Sequence, residues 1–108
     1  MENKSAHVKH VVIFKYKDGS TAEQIQQVTD AFRALQHQIP GILSFECGTN
    51  ISTEGRNLGF THVYTLVFEN AQARDVYLPH PKHQEFGALL SRLGIMEDVF
   101  VVDYVPAP

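Results

Sequence analysis

The chain has 108 residues, the length of one ordinary domain, and such a chain buries a core without needing disulfides or metals. Hydrophobic residues make up 44% and charged residues 19%, a composition that is typical of globular proteins and excludes disordered ones. Nine Lys and Arg against twelve Asp and Glu give a net charge of −3, so neither nucleic acid nor a membrane is expected as a partner.

The ends and the cysteine content indicate the cellular compartment. Residues 1–7 are polar and no apolar run is long enough to cross a bilayer, so the sequence predicts neither a signal peptide nor a membrane span. The single cysteine, Cys47, excludes an internal disulfide framework. We therefore expect a cytoplasmic protein that forms a single domain over residues 1–108.

The first two elements are a strand and a helix. A strand is predicted over residues 8–16, where side chains alternate between two faces. One of those faces carries His10, Val12, Phe14 and Tyr16. Ser20 and Glu23 form a capping box that begins a helix, and Pro40-Gly41 ends it. Steps of three and four residues give this helix one apolar stripe: Ile25, Val28, Phe32, Leu35 and Ile39.

Two further strands are predicted over residues 42–51 and 60–69, joined by a flexible loop over residues 52–59. The first of them places Leu43, Phe45 and Cys47 on one face, and we expect Cys47 to pack in the core. The second alternates clearly, and one of its faces carries Phe60, His62, Tyr64, Leu66 and Phe68.

The C-terminal part predicts two helices and a last strand. Asn70 caps a short helix over residues 71–78, and Pro79-His80-Pro81 breaks the chain before a second helix over residues 81–93. The second helix directs four residues inward: Phe86, Leu89, Leu90 and Leu93. With a strand over residues 99–105, the order β-α-β-β-α-β predicts an α+β, ferredoxin-like fold, in which helices cover one face of a four-stranded antiparallel sheet.

The outer face of this sheet predicts an oligomer. Both faces of the strand over residues 60–69 are largely apolar or β-branched, and the first and last strands are similar. The chain has no spare helix to cover a second apolar face, and a large exposed apolar patch is unfavourable in water. We therefore expect a symmetric homodimer whose sheets pack face to face.

Tyr77, His80 and His83 form the first candidate site. Tyr77 ends one predicted helix and the two histidines begin the next, so the bend between the helices brings the phenol near His83. A neutral histidine is a natural general base near pH 7, and a phenol can donate a proton beside it. The alternative is that His80 caps the helix, His83 lies on the surface and Tyr77 belongs to the core.

His10 and His62 form the second candidate site. Each lies among apolar neighbours on its strand, and an imidazole buried there needs a hydrogen bond or a cavity. We expect the first and third strands to be central, adjacent and parallel, which would make the two histidines neighbours at one end of the sheet. Two core histidines with satisfied hydrogen bonds remain an equal alternative.

No metal or cofactor is expected. His10, His62, His80 and His83 could supply three imidazoles to a metal, but nothing in their spacing requires one. The sequence also lacks a glycine-rich phosphate loop and a nucleophile elbow.

Several of these segments resemble the stress-responsive dimeric α/β-barrel (Dabb) family over nearly the whole chain. The likeness depends on the opening strand over residues 8–17, Pro40-Gly41, Gly59-Phe60-Thr61-His62, Tyr77-x-x-His80-Pro81-x-His83 and Asp103-Tyr104. It implies a dimer of ferredoxin-like units whose paired sheets form a barrel, and within the family the sequence is especially similar to a plant polyketide cyclase.

The resemblance also implies residue roles. It makes His83 and Tyr77 the catalytic pair and places His10 and His62 in the same active site. In such a cyclase the pair promotes an intramolecular aldol condensation of a poly-β-keto thioester without a cofactor. We add His80 and Phe32 as substrate-binding residues, and Phe32 stands where the cyclase has a pocket tyrosine.

Two departures from the cyclase concern its pocket. Gln84-Glu85 replaces small or apolar residues, and a carboxylate there would alter the pocket mouth. The segment over residues 94–98 differs in length and lacks a bulky aromatic side chain.

The leading hypothesis is a cofactor-free small-molecule enzyme, of the cyclase, lyase or isomerase type, acting on a carbonyl or thioester substrate. The alternative is a non-catalytic stress-response oligomer or apolar-ligand-binding protein; a purely structural oligomer predicts no open cavity beside His83. A third reading, an antibiotic-monooxygenase-type or haem-degrading barrel, requires a haem-ligand or substrate-oxidising arrangement that the sequence does not display.

Overall fold

The computed structural model describes residues 6–108 and has the predicted ferredoxin-like fold. Its elements in chain order are β1 (Val8–Tyr16), α1 (Ala22–Gln38), β2 (Ile42–Thr49), β3 (His62–Phe68), α2 (Ala71–Tyr77), α3 (Pro81–Leu93) and β4 (Met96–Tyr104). The strands form one sheet in the order β2-β3-β1-β4, and every neighbouring pair is antiparallel.

The core lies between the inward face of the sheet and the helices. Its buried residues include the predicted faces of β1 and β3 and the predicted stripe of α1: Val8, Val12, Phe14, Val28, Phe32, Leu35, Ile39, Ile42, Tyr64, Leu66, Phe68, Tyr77, Phe86 and Ile95. These patterns are confirmed because alternation and helical periodicity each report which side of an element is buried.

The start of α1 differs from the prediction by one residue. Thr21 is the N-cap: its hydroxyl accepts the backbone N–H of Gln24, and the Gln24 side chain accepts the N–H of Thr21. Ser20 instead donates its hydroxyl to the Lys17 carbonyl at 2.6 Å, which closes the preceding turn. The predicted Ser20–Glu23 capping box is therefore wrong, although the type of cap is correct.

A bulge in β2 removes Leu43 from the predicted face of that strand, while Phe45, which pairs with Leu66, packs against the core as expected. Ile42 pairs with Phe68 and Ser44 with Val67, so Leu43 is an extra residue in the ladder. Ile42 consequently lies inward and Leu43 is 46% exposed. Cys47 is exposed as well, so the expectation of a core cysteine is wrong.

The relation between β1 and β3 also differs from the prediction. The two strands are central and adjacent, but they are antiparallel rather than parallel. His10 pairs with Leu66 and His62 pairs with Phe14. The two histidines are therefore four residues apart along the ladder, about 14 Å at the usual strand rise.

The outer face of the sheet is apolar, as predicted. β4 begins at Met96, three residues earlier than expected, and three of its large side chains face outward from the helices: Phe100 (48% exposed), Val102 (44%) and Tyr104 (47%). Ile13 and Val11 pair with the first two and continue the same surface across β1.

The helices carry no membrane-crossing signal. Within residues 6–108, none of them combines the length and the apolar character that spanning a bilayer requires.

Candidate active site

A cavity of about 370 Å³ lies between the helices and the half of the sheet formed by β1 and β4. Most of its wall is apolar: Val12, Phe14, Phe32, Leu78, Phe86, Leu90, Met96, Val99 and Val101. Its polar side chains are His10, Arg74, Tyr77, His83 and Asp103. A cavity with an apolar wall and a few converging polar groups is the usual form of a small-molecule site.

Tyr77 and His83 meet through the bend between α2 and α3. Tyr77 is the last residue of α2, and the chain turns at once, with the His80 N–H bonded to the Tyr77 carbonyl at 3.1 Å. His83 lies in the first turn of α3, where side chains lean back toward the helix start. The two ring centroids are 4.5 Å apart. The predicted proximity of the phenol and the imidazole is confirmed.

The environment of His83 favours a neutral imidazole. Burial lowers the pKa of His83 below its ordinary value of 6.5; a hydrogen bond to the Leu78 carbonyl raises it in part, and the electrostatic effect of the neighbouring His10 lowers it further. Because a carbonyl only accepts, the 3.2 Å contact with Leu78 requires the ring hydrogen on Nδ1. The lone pair of the neutral ring is therefore on Nε2.

Tyr77 is a protonated phenol in this environment. Its side chain is 1% exposed, and burial raises the pKa of the hydroxyl far above its ordinary value. The ring also packs edge-on against His10, with centroids 5.5 Å apart. Tyr77 thus packs against the rings of both His10 and His83 in the cavity wall.

His10 is buried and lies next to the ion pair of Asp103 with Arg74. It is 6% exposed, and its Nδ1 donates to the Asp103 carboxylate at 2.6 Å across the β1–β4 ladder. The second oxygen of Asp103 lies 3.4 Å from the Arg74 guanidinium, which also contacts Asp75 at 3.0 Å. His10 is both a satisfied buried histidine, the alternative considered for it, and a residue of the cavity wall.

Phe32 belongs to the apolar part of the wall. Its ring stacks on Tyr64 with centroids 5.0 Å apart and lies 4.7 Å from Phe86. It is 2% exposed, so it shapes the cavity without providing a hydrogen-bonding group.

His62 lies elsewhere, and the expectation that it neighbours His10 is wrong. Because β1 and β3 are antiparallel, His62 is at the opposite end of the ladder, with its ring 4.9 Å from Tyr16. It borders a separate cleft of about 210 Å³, and burial lowers its pKa. Nearby, the hydroxyl of Tyr64 bonds to those of Tyr16 and Thr29, each at 2.9 Å.

His80 is the helix cap that the alternative reading described. Its Nδ1 accepts the Lys82 N–H at 3.0 Å, and the residue does not line the cavity. Glu85 does not line the cavity either, and its carboxylate lies 3.4 Å from the Lys82 ammonium. Glu85 therefore does not alter the cavity as expected, and within residues 6–108 the acidic residue of the wall is Asp103.

Sequence reasoning missed Asp103 and Arg74 as members of the site. Asp103 interrupts the apolar run of β4, and its pairing with His10 was available only once the two strands were aligned. Arg74 has no distinguishing sequence pattern. Within the described residues, no group of three or more His, Cys, Asp or Glu side chains is arranged to hold a metal ion.

Comparison with known proteins gives one family and several relatives. The profile of the stress responsive A/B barrel domain matches residues 8–106. The protein HS1 of Arabidopsis thaliana, a stress-response A/B barrel domain-containing protein, is 34% identical over 106 residues, which cover 98% of this chain and 95% of that protein. Olivetolic acid cyclase of Cannabis sativa is 27% identical over 99 residues, covering 92% and 96%.

Solved structures agree with the fold. Hydroxynitrile lyase from Passiflora edulis superposes with a TM-score of 0.84 at 26% identity, and the match covers 95% of each chain. A protein of unknown function from Bacteroides fragilis, described as dimeric and ferredoxin-like, has a TM-score of 0.69 at 28% identity, covering 93% of this chain and 96% of that one.

Proposed function

The chain belongs to the stress-responsive A/B barrel domain family, and from that premise we propose that it is a cofactor-free small-molecule enzyme. His83 acts as the general base and Tyr77 as its proton-donating partner, next to a carbonyl group of the substrate. The observation that carries the proposal is the shared cavity of about 370 Å³, in which the imidazole and the phenol lie 4.5 Å apart. A purely structural oligomer gives no reason for such a cavity.

The state of His83 supports its role as the base. Its lowered pKa keeps the imidazole neutral at pH 7, and the hydrogen bond from Nδ1 to Leu78 leaves the Nε2 lone pair for a substrate proton. A carbon flanked by two carbonyls is the kind of C–H acid that an imidazole can deprotonate at this pH.

The state of Tyr77 supports the complementary role. Its raised pKa keeps the hydroxyl protonated, so it donates a hydrogen bond to a carbonyl oxygen on which negative charge develops. The surrounding apolar wall excludes water, and this strengthens such a bond.

These roles combine in an aldol-type step. The proton of the acidic carbon moves to Nε2 of His83, and its electron pair forms an enolate. The enolate carbon then bonds to a second carbonyl carbon of the same molecule, whose π electron pair moves onto oxygen. That oxygen receives the Tyr77 proton, and Tyr77 recovers one from His83. Isomerisation uses the same first step but returns the proton to another carbon.

The named enzymes among the relatives point in the same direction. One is a cyclase and another a lyase, at 27% and 26% identity. Both names are compatible with carbon–carbon chemistry in a fold of this kind, but fold alone does not assign a reaction.

The apolar wall favours a second candidate, a carrier of an apolar ligand without catalysis. Nine of the cavity residues are apolar side chains, which suits a ligand with a hydrocarbon part. This candidate differs from the enzyme in one measurable respect, because it predicts binding without proton transfer.

We also propose that the chain works as a homodimer through the outer face of its sheet. Phe100, Val102 and Tyr104 are each nearly half exposed there, and a second copy would cover them. Several structural neighbours are described as dimeric, which supports this assembly.

The test of the proposed reaction uses purified protein and a series of β-keto thioesters and lactones. We expect turnover that falls by two to four orders of magnitude in His83→Ala and clearly in Tyr77→Phe. Lys82→Ala is the control, because its side chain points to Glu85 outside the cavity. If both site variants keep the wild-type rate on every substrate that is turned over, the assignment is wrong; binding without turnover favours the carrier.

A further inference from the structure

Three charged or titratable side chains form a continuous array along one side of the cavity. Arg74 comes from α2, Asp103 from β4 and His10 from β1, and all three line the wall. Nδ1 of His10 lies 2.6 Å from one Asp103 oxygen, and Arg74 lies 3.4 Å from the other. The aldol step described above uses none of them.

We propose that Arg74 and Asp103 are positioning residues that hold the ring hydrogen of His10 on Nδ1, so that the Nε2 lone pair of His10 is presented to the ligand as a hydrogen-bond acceptor, beside that of His83. This inference rests on the proposed function for its kinetic consequence, but its structural content is independent of any reaction.

Asp103 is the polar contact that orients His10. The other neighbours of the ring are aromatic: Phe68 and Tyr77 pack edge-on, each with a centroid distance of 5.5 Å. Such packing limits the tilt of an imidazole but does not decide which nitrogen carries hydrogen. The Asp103 carboxylate decides it. Its oxygen lies 2.6 Å from Nδ1 and can only accept a hydrogen bond, so the ring hydrogen must be on Nδ1.

Arg74 keeps Asp103 in the orientation that reaches His10. Its NH1 contacts Oδ2 of Asp103, which leaves Oδ1 for the imidazole. The Nε of Arg74 is occupied by Asp75 at 3.0 Å. The charged groups next to His10 are therefore the Asp103 carboxylate and, in contact with that carboxylate, the Arg74 cation; His83 packs against the same Tyr77 ring that His10 contacts.

The consequence for the ligand follows from the position of Tyr77. The ring centroid of Tyr77 lies 4.5 Å from that of His83 and 5.5 Å from that of His10, and all three side chains line the same cavity, so one ligand can contact both imidazoles. His83 is held by a backbone carbonyl and His10 by a carboxylate, and both contacts leave Nε2 available. The Nε2 lone pair of His10 can then accept a hydrogen bond from a hydroxyl of the same ligand, such as the enol form of a second carbonyl group, while His83 acts on carbon.

The test compares His10 tautomers by ¹⁵N NMR in the full-length protein and in three variants: Asp103→Asn, Arg74→Gln and Asp75→Asn. We expect the Nδ1–H form in the wild type. In Asp103→Asn the amide can donate to the ring, so the population shifts toward Nε2–H; Arg74→Gln shifts it partly. Asp75→Asn is the matched control, because it removes a carboxylate from Arg74 without touching His10, and it leaves the spectrum unchanged.

The kinetic arm uses the same variants with a β-keto thioester. We expect kcat to fall about tenfold to a hundredfold in Asp103→Asn with KM nearly unchanged, which is the size of effect seen when a partner that orients a metal-ligating imidazole is removed. A wild-type His10 in the Nε2–H form, or an Asp103→Asn protein with unchanged tautomer and kcat, overturns the inference.

The two proposals fail in different ways. If no form of the protein turns over substrate, the proposed reaction is wrong, whereas the tautomer comparison still confirms or rejects the role of Asp103 and Arg74. If turnover depends on His83 but not on Asp103, the reaction stands and the positioning role is wrong.

Discussion

Replacing Gly87 by alanine should change both the stability of the protein and the size of its cavity. Gly87 lies in the interior of α3 (Pro81–Leu93) and lines the cavity. A Cβ built at this position meets no heavy atom within 4 Å, so the helix has room for a side chain there. We predict that Gly87→Ala makes the protein more stable and its cavity smaller.

The magnitudes follow from the location. Alanine is favoured over glycine in a helix interior by about 1 kcal/mol, so the free energy of unfolding should rise by about that amount. For a domain of this size the melting temperature should rise by about 4 °C or more. In the cavity, excluding one methylene-sized group from a ligand that fills the space costs about 0.8 kcal/mol, a loss of about fourfold in affinity.

The assay pairs urea unfolding with calorimetric binding of 2-alkanones of increasing chain length, which present a carbonyl and an apolar tail. Gly48→Ala is the matched control, because a Cβ there also meets no atom within 4 Å but the residue is on β2, outside this cavity. If Gly87→Ala destabilises the protein, the argument from helix propensity and free space at this position is wrong. If it leaves the preferred ligand length and affinity unchanged, the cavity is not the ligand site that we describe.

Three further predictions concern other parts of the account. For Phe100→Ala we expect the dimer Kd, measured by sedimentation, to rise about five thousandfold. The 48% exposure of Phe100 leaves about 100 Å² per protomer, about 2.5 kcal/mol on each side of the dimer, whereas Val76→Ala on α2 leaves the Kd unchanged. The rate of proton transfer should be flat above pH 6.5 and fall tenfold per unit below the lowered pKa of His83; a midpoint above 6.5 refutes a desolvated base. Gly41→Ala should lower the free energy of unfolding by about 1–3 kcal/mol, because φ is +91° and the new Cβ would lie 2.6 Å from that of Ala73; an unchanged urea midpoint contradicts this.

The pH dependence of stability has the same origin as that of the rate. Folding lowers the pKa of His83, so the folded state favours the neutral ring. The contribution of His83 to stability is therefore fully present above pH 6.5, the ordinary value, and is lost as the pH falls through the folded pKa.

Local patterns predicted most of the fold. The strand over residues 8–16 and the helix over residues 81–93 have the expected bounds. Such bounds are set by side-chain alternation and by nearby prolines and glycines, which act on residues close to them in sequence. The proximity of Tyr77 and His83 was predictable for the same reason, since six residues and one bend separate them.

Long-range pairing was not predictable from local patterns. His62 was expected beside His10, and only the direction of β3 relative to β1 places it at the other end of the ladder. Asp103 was missed as a partner of His10 because 93 residues separate them and the contact depends on the β1–β4 register. The bulge that exposes Leu43 likewise belongs to the pairing of two strands rather than to either sequence.

The central claim, that His83 removes a proton next to a carbonyl, is tested most directly by exchange rather than by turnover. A β-keto thioester is incubated with the protein in D₂O at pD 7.5, and deuterium entry at the carbon between the carbonyls is followed by NMR. We predict that wild-type protein accelerates this exchange and that His83→Ala reduces the acceleration by two orders of magnitude or more, while Lys82→Ala does not. Exchange that is equally fast with the wild type and with His83→Ala would contradict the account.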